Sequence, residues 1–277
     1  MGTGLAFLCP VPDFDIKRSE HKVTGTANIS YRWNDAMMSY VSYSRGYKAG
    51  GINLDRSAGL TQFEFKPETV DSVEGGVKST FADGRVKFNL TAFYSDFKNF
   101  QLNTFTGNGF VISNEAGVKS KGVELETSVH PLHGLLLSGA ISFNHAQFSK
   151  STAKPNLAGK QLTNAPKWTL NGTIAYRRPI LPGSQITGFS RLSVRYITKV
   201  NTGSDLAPQK VQKGYALVNI RVGIRTAENG WELAGWANNL FDTNYSQIIF
   251  ATPIQPGSFS TFIGMPRTYG VSLTARF

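Results

Sequence analysis

Apolar and polar residues alternate one for one along most of the chain. In VKFNLTAFY, Val86, Phe88, Leu90, Ala92 and Tyr94 fall on one side of an extended backbone, and Lys87, Asn89 and Thr91 on the other; Phe93 breaks the pattern. The same division recurs in 23–32, where Val23, Ala27, Ile29 and Tyr31 oppose Thr24, Thr26, Asn28, Ser30 and Arg32, and in 168–177, where Trp168, Leu170, Ile174 and Tyr176 oppose Thr169, Asn171, Thr173 and Arg177. Period two is the signature of a strand with one greasy and one polar face. It predicts eleven strands, at 22–32, 36–47, 68–81, 86–101, 116–129, 135–148, 166–178, 185–199, 213–226, 231–247 and 265–277.

Two kinds of connection alternate between these segments. WND (33–35), ADGR (82–85), HPLHG (130–134), LPGS (181–184) and AENG (227–230) are hairpin turns in which Gly, Asn or Asp can take positive φ. The others, 48–67, 102–115, 149–165, 200–212 and 248–264, are long and rich in Gly, Ser, Asn and Pro. Consecutive antiparallel strands then put every tight turn at one end of the sheet and every long loop at the other. With long strands and an outward apolar face, that arrangement predicts an all-β, antiparallel transmembrane β-barrel, because closure satisfies backbone groups in lipid. A soluble β-sandwich also alternates, but its strands typically run to about five or six residues. Tyr31, Trp33, Trp168 and Trp231 are read as an aromatic girdle near the tight-turn ends.

Composition narrows the classes further. The formal charge of +11 would suggest an acidic partner, yet Lys and Arg are scattered singly, so nucleic acid is not expected as a partner. No apolar run reaches the ~18 residues of a membrane helix. Cys9 is the only cysteine and has no companion for a disulfide or a metal site. His21, His130, His133 and His145 are dispersed, Glu124 and Glu126 fit a polar lumen lining, and GNG at 107–109 is a loop tip with no helix behind it. No catalytic constellation, cofactor or resident metal is expected.

Several stretches together carry a resemblance: YVSYSRGYKAGGIN (40–53), PETVDSVEGGVKSTFADGRVKFNLTAFYSDFKNFQL (67–102), NEAGVKSKGVELETSV (114–129), LTNAPKWTLNGTIAY (162–176), NNLFDTNY (238–245) and GMPRTYGVSLTARF (264–277). In this order they resemble the C-terminal half of a TonB-dependent outer-membrane receptor. The resemblance implies strands 12 to 22 of a 22-stranded barrel that encloses a plug. It also implies localisation in the outer membrane of a Gram-negative bacterium, TonB as energising partner, and a ligand such as a ferric siderophore. Residues 1–21 are then an irregular segment or loop remnant, and 22–277 the barrel part. A plug, a TonB-contacting segment and an export signal are not recognised in the sequence. The expectation is therefore a fragment whose partners include the N-terminal barrel half and plug.

The residues support that expectation independently. An open sheet would present two unpaired edges to lipid, and about five unsatisfied groups per edge at several kcal/mol each amount to tens of kcal/mol. The alternatives are a passive porin or structural barrel completed by self-association, and a soluble glycan-binding β protein.

Candidate ligand contacts lie in the long loops, where aromatic stacking meets polar groups. They are Tyr47, Lys48 and Asn53, then Phe105, Asn108 and Phe110, and finally Phe250, Phe259 and Phe262. Inward-facing Arg177, Arg195, Arg221 and Arg225 make a candidate basic lumen for anionic chelates or an acidic plug surface. Tyr269, Val271, Leu273, Ala275 and Phe277 share one face of the last strand and resemble the signal read by the outer-membrane assembly machinery. In YVSYSRGYKAGGIN, the strand gives way to loop after Tyr47, while the opposed faces of Tyr40 and Tyr43 leave its inward register open.

Overall fold

The computed structural model describes residues 16–54, 63–106, 109–152, 154–226 and 230–276. Eleven strands form one antiparallel sheet in sequence order. They are β1 (Gly25–Asn34), β2 (Met37–Lys48), β3 (Glu68–Phe81), β4 (Val86–Phe105), β5 (Phe110–Val129) and β6 (Leu135–Phe148). The series continues with β7 (Trp168–Pro179), β8 (Ile186–Ile197), β9 (Tyr215–Thr226), β10 (Trp231–Asn238) and β11 (Thr268–Ala275). Each strand pairs antiparallel with its chain neighbour, across tight turns and long loops alike. Among the described residues, β1 is paired on one side only, to β2, and β11 on one side only, to β10.

The register keeps the two faces separate across the whole sheet. Val41, Gly75, Ala92, Val123, Phe143 and Trp168 are successive cross-strand partners. Met38, Lys78, Asn89, Glu126, Ala140, Asn171 and Arg195 follow one another on the opposite face. Because side chains alternate strictly, a one-residue slip would exchange the faces. The apolar face is left bare: Ile29, Val73, Ile174, Val222 and Leu273 are all exposed. In water that surface would be costly, whereas in lipid it is the required one.

Tyr40 and Tyr43 are assigned by the same register. The Tyr40 hydroxyl lies 3.1 Å from Thr91 Oγ1 on the polar face, and Tyr43 on the apolar face donates to Asp71 Oδ1 at 2.7 Å. Turn chemistry follows the residue types as well. Ala82, Asp83 and Gly84 have φ of 53°, 53° and 85°, and Gly134 and Gly183 have 85° and 75°.

Three expectations change. Residues 102–115 are not an open loop: β4 and β5 run on as a tall hairpin in continuous register from Gln101↔Asn114 to Phe105↔Phe110. Side chains hold it from beside. The Asn53 amide donates to the Ile112 carbonyl at 2.9 Å and accepts from its N–H at 2.8 Å, and Gln101 Nε2 donates to the Ala49 carbonyl at 2.8 Å. Residues 231–247 are not one strand, because Asn239 and Asp242 take φ of 48° and 52°, and the Asn239 side chain binds the Thr243 backbone at 2.8 and 3.0 Å. The chain then forms a separate hairpin, Ser246–Ala251 with Phe259–Ile263. Trp168 stands at the long-loop end of β7, 4.7 Å from Phe143, and so belongs to the opposite girdle from Trp33 and Trp231.

The principal buried core also lies at the long-loop end. Leu102, Val118, Phe148 and Leu157 are buried together, with Phe97, Phe100, Leu162 and Leu206 packed around them. Phe100 stands edge-on to Phe97 and Phe148 at 5.9 and 6.2 Å, a favoured aromatic geometry. The sheet thus carries a packed platform of loops at one end and short turns at the other.

Candidate functional site

Four loop candidates meet in one cavity of about 520 Å³ at the long-loop end. Phe105 and Phe110 face each other across the hairpin tip, 5.1 Å apart. Phe105 is edge-on to Phe250 at 5.8 Å, and Phe250 lies 5.4 Å from Phe262. The four rings come from two hairpins separated by more than a hundred residues of chain.

Polar groups complete the lining and knit the loops beneath it. The Thr202 hydroxyl donates to the Lys210 carbonyl at 3.1 Å and accepts from the Ile249 N–H at 2.9 Å. Lys210, which also lines the cavity, donates from Nζ to Asp205 Oδ2 at 2.7 Å. Burial pushes the Asp205 carboxyl up, but hydrogen bonds from Lys210 and the Ala207 amide outweigh it and hold the group below its ordinary value. The cation beside the aromatic cluster is therefore already neutralised.

The remaining loop candidates do not line this cavity. Phe259 pairs with Ala251 at the far end of its hairpin. Lys48 closes β2 opposite Glu68. Tyr47 donates its hydroxyl to Glu20, and that hydrogen bond holds the Glu20 carboxyl below its ordinary value. Asn53 is buried and committed to Ile112. Asn108 lies outside the described residues.

The basic candidates divide. Arg195 lies high on the polar face, in a small cavity with Asn164, Gln212 and Tyr215. Arg177, Arg221 and Arg225 converge at the tight-turn end with Arg85 and Arg191, lining a cavity of about 810 Å³. Backbone bonds set this rim: the His130 N–H donates to the Arg85 carbonyl and the Arg177 N–H to the Gly134 carbonyl, both at 2.8 Å. A Cβ on Gly134 would stand 2.0 Å from the Arg177 oxygen, so glycine is needed there for both space and φ. Arg85 was hidden as a turn residue. The partner of Arg221, Arg191, is found only through the β8–β9 register.

On β11, Tyr269, Val271 and Leu273 are more than 70% exposed on the apolar face, with Ala275 beyond them; Phe277 lies outside the described residues. Glu124 and Glu126 lie on the polar face, with Glu124 accepting from Ser142 at 3.2 Å.

The sequence profile described as "TonB dependent receptor-like, beta-barrel" matches residues 6–240. The chain belongs to this family. TonB-dependent receptors are outer-membrane β-barrels of Gram-negative bacteria and act as transport receptors, so this chain is an outer-membrane protein and not an enzyme. Relatives of this receptor chain include the pesticin receptor of Yersinia pestis, 24% identical over 265 residues, which are 94% of this chain and 37% of that protein. The metal-pseudopaline receptor CntO of Pseudomonas aeruginosa is 26% identical over 272 residues, 96% of this chain and 35% of that one. Among solved structures, the ferric yersiniabactin uptake receptor FyuA from Yersinia pestis superposes with a TM-score of 0.77 at 22% identity, over 91% of this chain and 37% of that chain. BauA, the ferric preacinetobactin receptor from Acinetobacter baumannii, gives 0.67 at 18%, over 90% and 36%. The structural likeness is one of fold, and the TonB-dependent receptor chain spans about a third of the length of these relatives.

Proposed function

We propose that this chain is the C-terminal part of the barrel of a TonB-dependent importer and that the importer takes up a ferric siderophore. The observation that carries the reading is the convergence of Phe105, Phe110, Phe250 and Phe262 on one cavity at the long-loop end. Concave sites that are mostly apolar with a few placed polar groups are what small ligands select. The matched relatives include receptors for metal and siderophore complexes by name, which supports the same ligand class. Asn53 positions the hairpin that bears Phe105 and Phe110.

The two edges complete the picture. In lipid, β1 and β11 need strand partners, and further barrel strands together with a plug in the lumen would supply a closed, filled barrel. TonB would then energise transport, and the exposed face of β11 from Tyr269 to Ala275 would be read by the assembly machinery.

Uptake of radiolabelled iron on a panel of chelates tests the reading, using the complete gene in an uptake-deficient strain. One chelate should be accumulated in a TonB-dependent manner, and Phe250→Ala with Phe262→Ala should remove most of the accumulation. Equal, TonB-independent entry of all small solutes would replace the importer with a passive pore.

A further inference from the structure

Among the described residues that line the aromatic cavity at the long-loop end, Lys210 is the one with an ionisable side chain. The rest of the lining is the four rings, Ile248 and Ile249, and uncharged polar groups such as Asn103 and Asn164. Phe110 and Phe262 are each 63% exposed, so these rings offer open faces to an occupant instead of closing on one another.

The ion pair beside the rings is fixed by its own loop. The Lys210 N–H donates to the Ala207 carbonyl at 3.0 Å, and the Lys210 carbonyl accepts from the Thr202 N–H at 2.9 Å. Asp205 Oδ1 accepts from the Ala207 N–H at 3.1 Å, while Asp205 Oδ2 takes the Lys210 ammonium at 2.7 Å. Gly203 makes room for the pair: a Cβ there would stand 2.7 Å from Asp205 Oδ1 and closer still to Lys210 Cδ. Only 11% of the Lys210 side chain is exposed, against 44% for Asp205. The carboxylate is therefore a built-in counter-ion, and an incoming anion would have to displace it to reach the ammonium. An anion in this lining would exchange water for phenyl rings and isoleucines without gaining a free cation, which is costly. An uncharged chelate avoids that loss and still gains the ring contacts.

We infer that this cavity selects its chelate by charge, taking an uncharged, aryl-bearing ferric chelate and rejecting polyanionic ones, with Asp205 as the specificity-determining residue because it cancels Lys210. The inference rests on the import reading above and narrows its ligand class.

The test uses the complete receptor in micelles and two hexadentate chelates of radiolabelled iron built on the same trisubstituted benzene frame. One has three N-phenylhydroxamate arms and is uncharged; the other has three catecholate arms and is a trianion. Iron retained with the receptor should show the uncharged chelate bound about tenfold more tightly than the trianion at about 50 mM salt, and unchanged within about twofold at about 500 mM. Asp205→Asn keeps an acceptor for the Ala207 N–H and removes the charge. It should tighten the trianion by about tenfold, in a salt-dependent way, and leave the uncharged chelate within about twofold. Lys210→Gln added to Asp205→Asn should return the trianion to its native weakness. The uncharged chelate reports an intact cavity in each variant, so equal loss of both chelates in Asp205→Asn would show a structural role alone and overturns the inference. Tighter native binding of the trianion overturns it, as do binding of neither chelate and an Asp205→Asn receptor with the native preference. Any of these results with TonB-dependent uptake intact defeats this inference alone. Charge-selective binding in micelles without TonB-dependent uptake defeats the import reading alone.

Discussion

At the long-loop end, the cation that lines the aromatic cavity, Lys210, is held 2.7 Å from Asp205, whereas at the tight-turn end, among the described residues, five arginines share one carboxylate. Both sites are built on the same sheet with the same period-two alternation. They differ in what stands behind the lining. Above, two loops and a hairpin pack into a core of their own, so rings and side-chain amides are positioned by burial, and Lys154 and Lys210 are matched by Glu115 and Asp205. Below, the lining is the bare polar face of the strands, and among the described residues Glu232, paired with Arg221, is its one carboxylate. A recognition surface made of packed loops can be apolar and specific, while one made of strand face takes its character from net charge.

The sharpest way to break the contrast is to remove the packing that only one end has. Phe148→Ala, in the buried cluster with Val118 and Leu157, should cost about 3–5 kcal/mol. Urea unfolding in micelles should report that loss, and hydrogen exchange should rise in 149–165 and 200–212 while the tight-turn end stays protected. Equal loosening at both ends would show that the platform is not a separate unit.

Next in size is loss of the aromatic cavity. Phe250→Ala with Phe262→Ala should weaken chelate binding to the complete receptor by about tenfold or more, by the measure of truncated aromatic anchors. Raising salt should scarcely affect a chelate seated beside a neutralised Lys210, as titrations at low and high salt would show.

The smallest effect is one of pH. Asp205 has its folded pKa below its ordinary value of 3.8, so the stability it contributes is present above that value and is lost as pH falls through the folded pKa. Exchange in 200–212 should quicken in the native chain as pH falls below the ordinary aspartate value of 3.8 and through the lower folded one. Asp205→Asn should remove that dependence and leave the tight-turn end unaffected.

The contrast also explains what could be read ahead of the structure. All eleven sheet strands were visible because alternation is a property of each strand alone, as in Val86 to Tyr94. The tall β4–β5 hairpin was not, because Thr104, Thr106 and Gly107 look like loop, and the groups that hold it upright, Asn53 and Gln101, act from across the fold or through contacts with the preceding loop. The four phenylalanines of the upper cavity could be chosen as loop aromatics, but their meeting depends on where two hairpins lean. Arg177, Arg221 and Arg225 could be chosen by face. Their separation from Arg195 depends on height along the strands, and Arg191 enters only through register, which single-strand patterns do not contain.

The clasp between Asn53 and Ile112 has a consequence for how such a receptor can change its ligand. The clasp fixes the hairpin below its tip with one acceptor and one donor, 2.8 and 2.9 Å from the Ile112 backbone, and makes no use of the side chains at the tip. Phe105 and Phe110 can therefore be exchanged without shifting the pairing that presents them. Novelty in what is bound can accumulate at the apex, while a single asparagine below keeps the frame on which it is written.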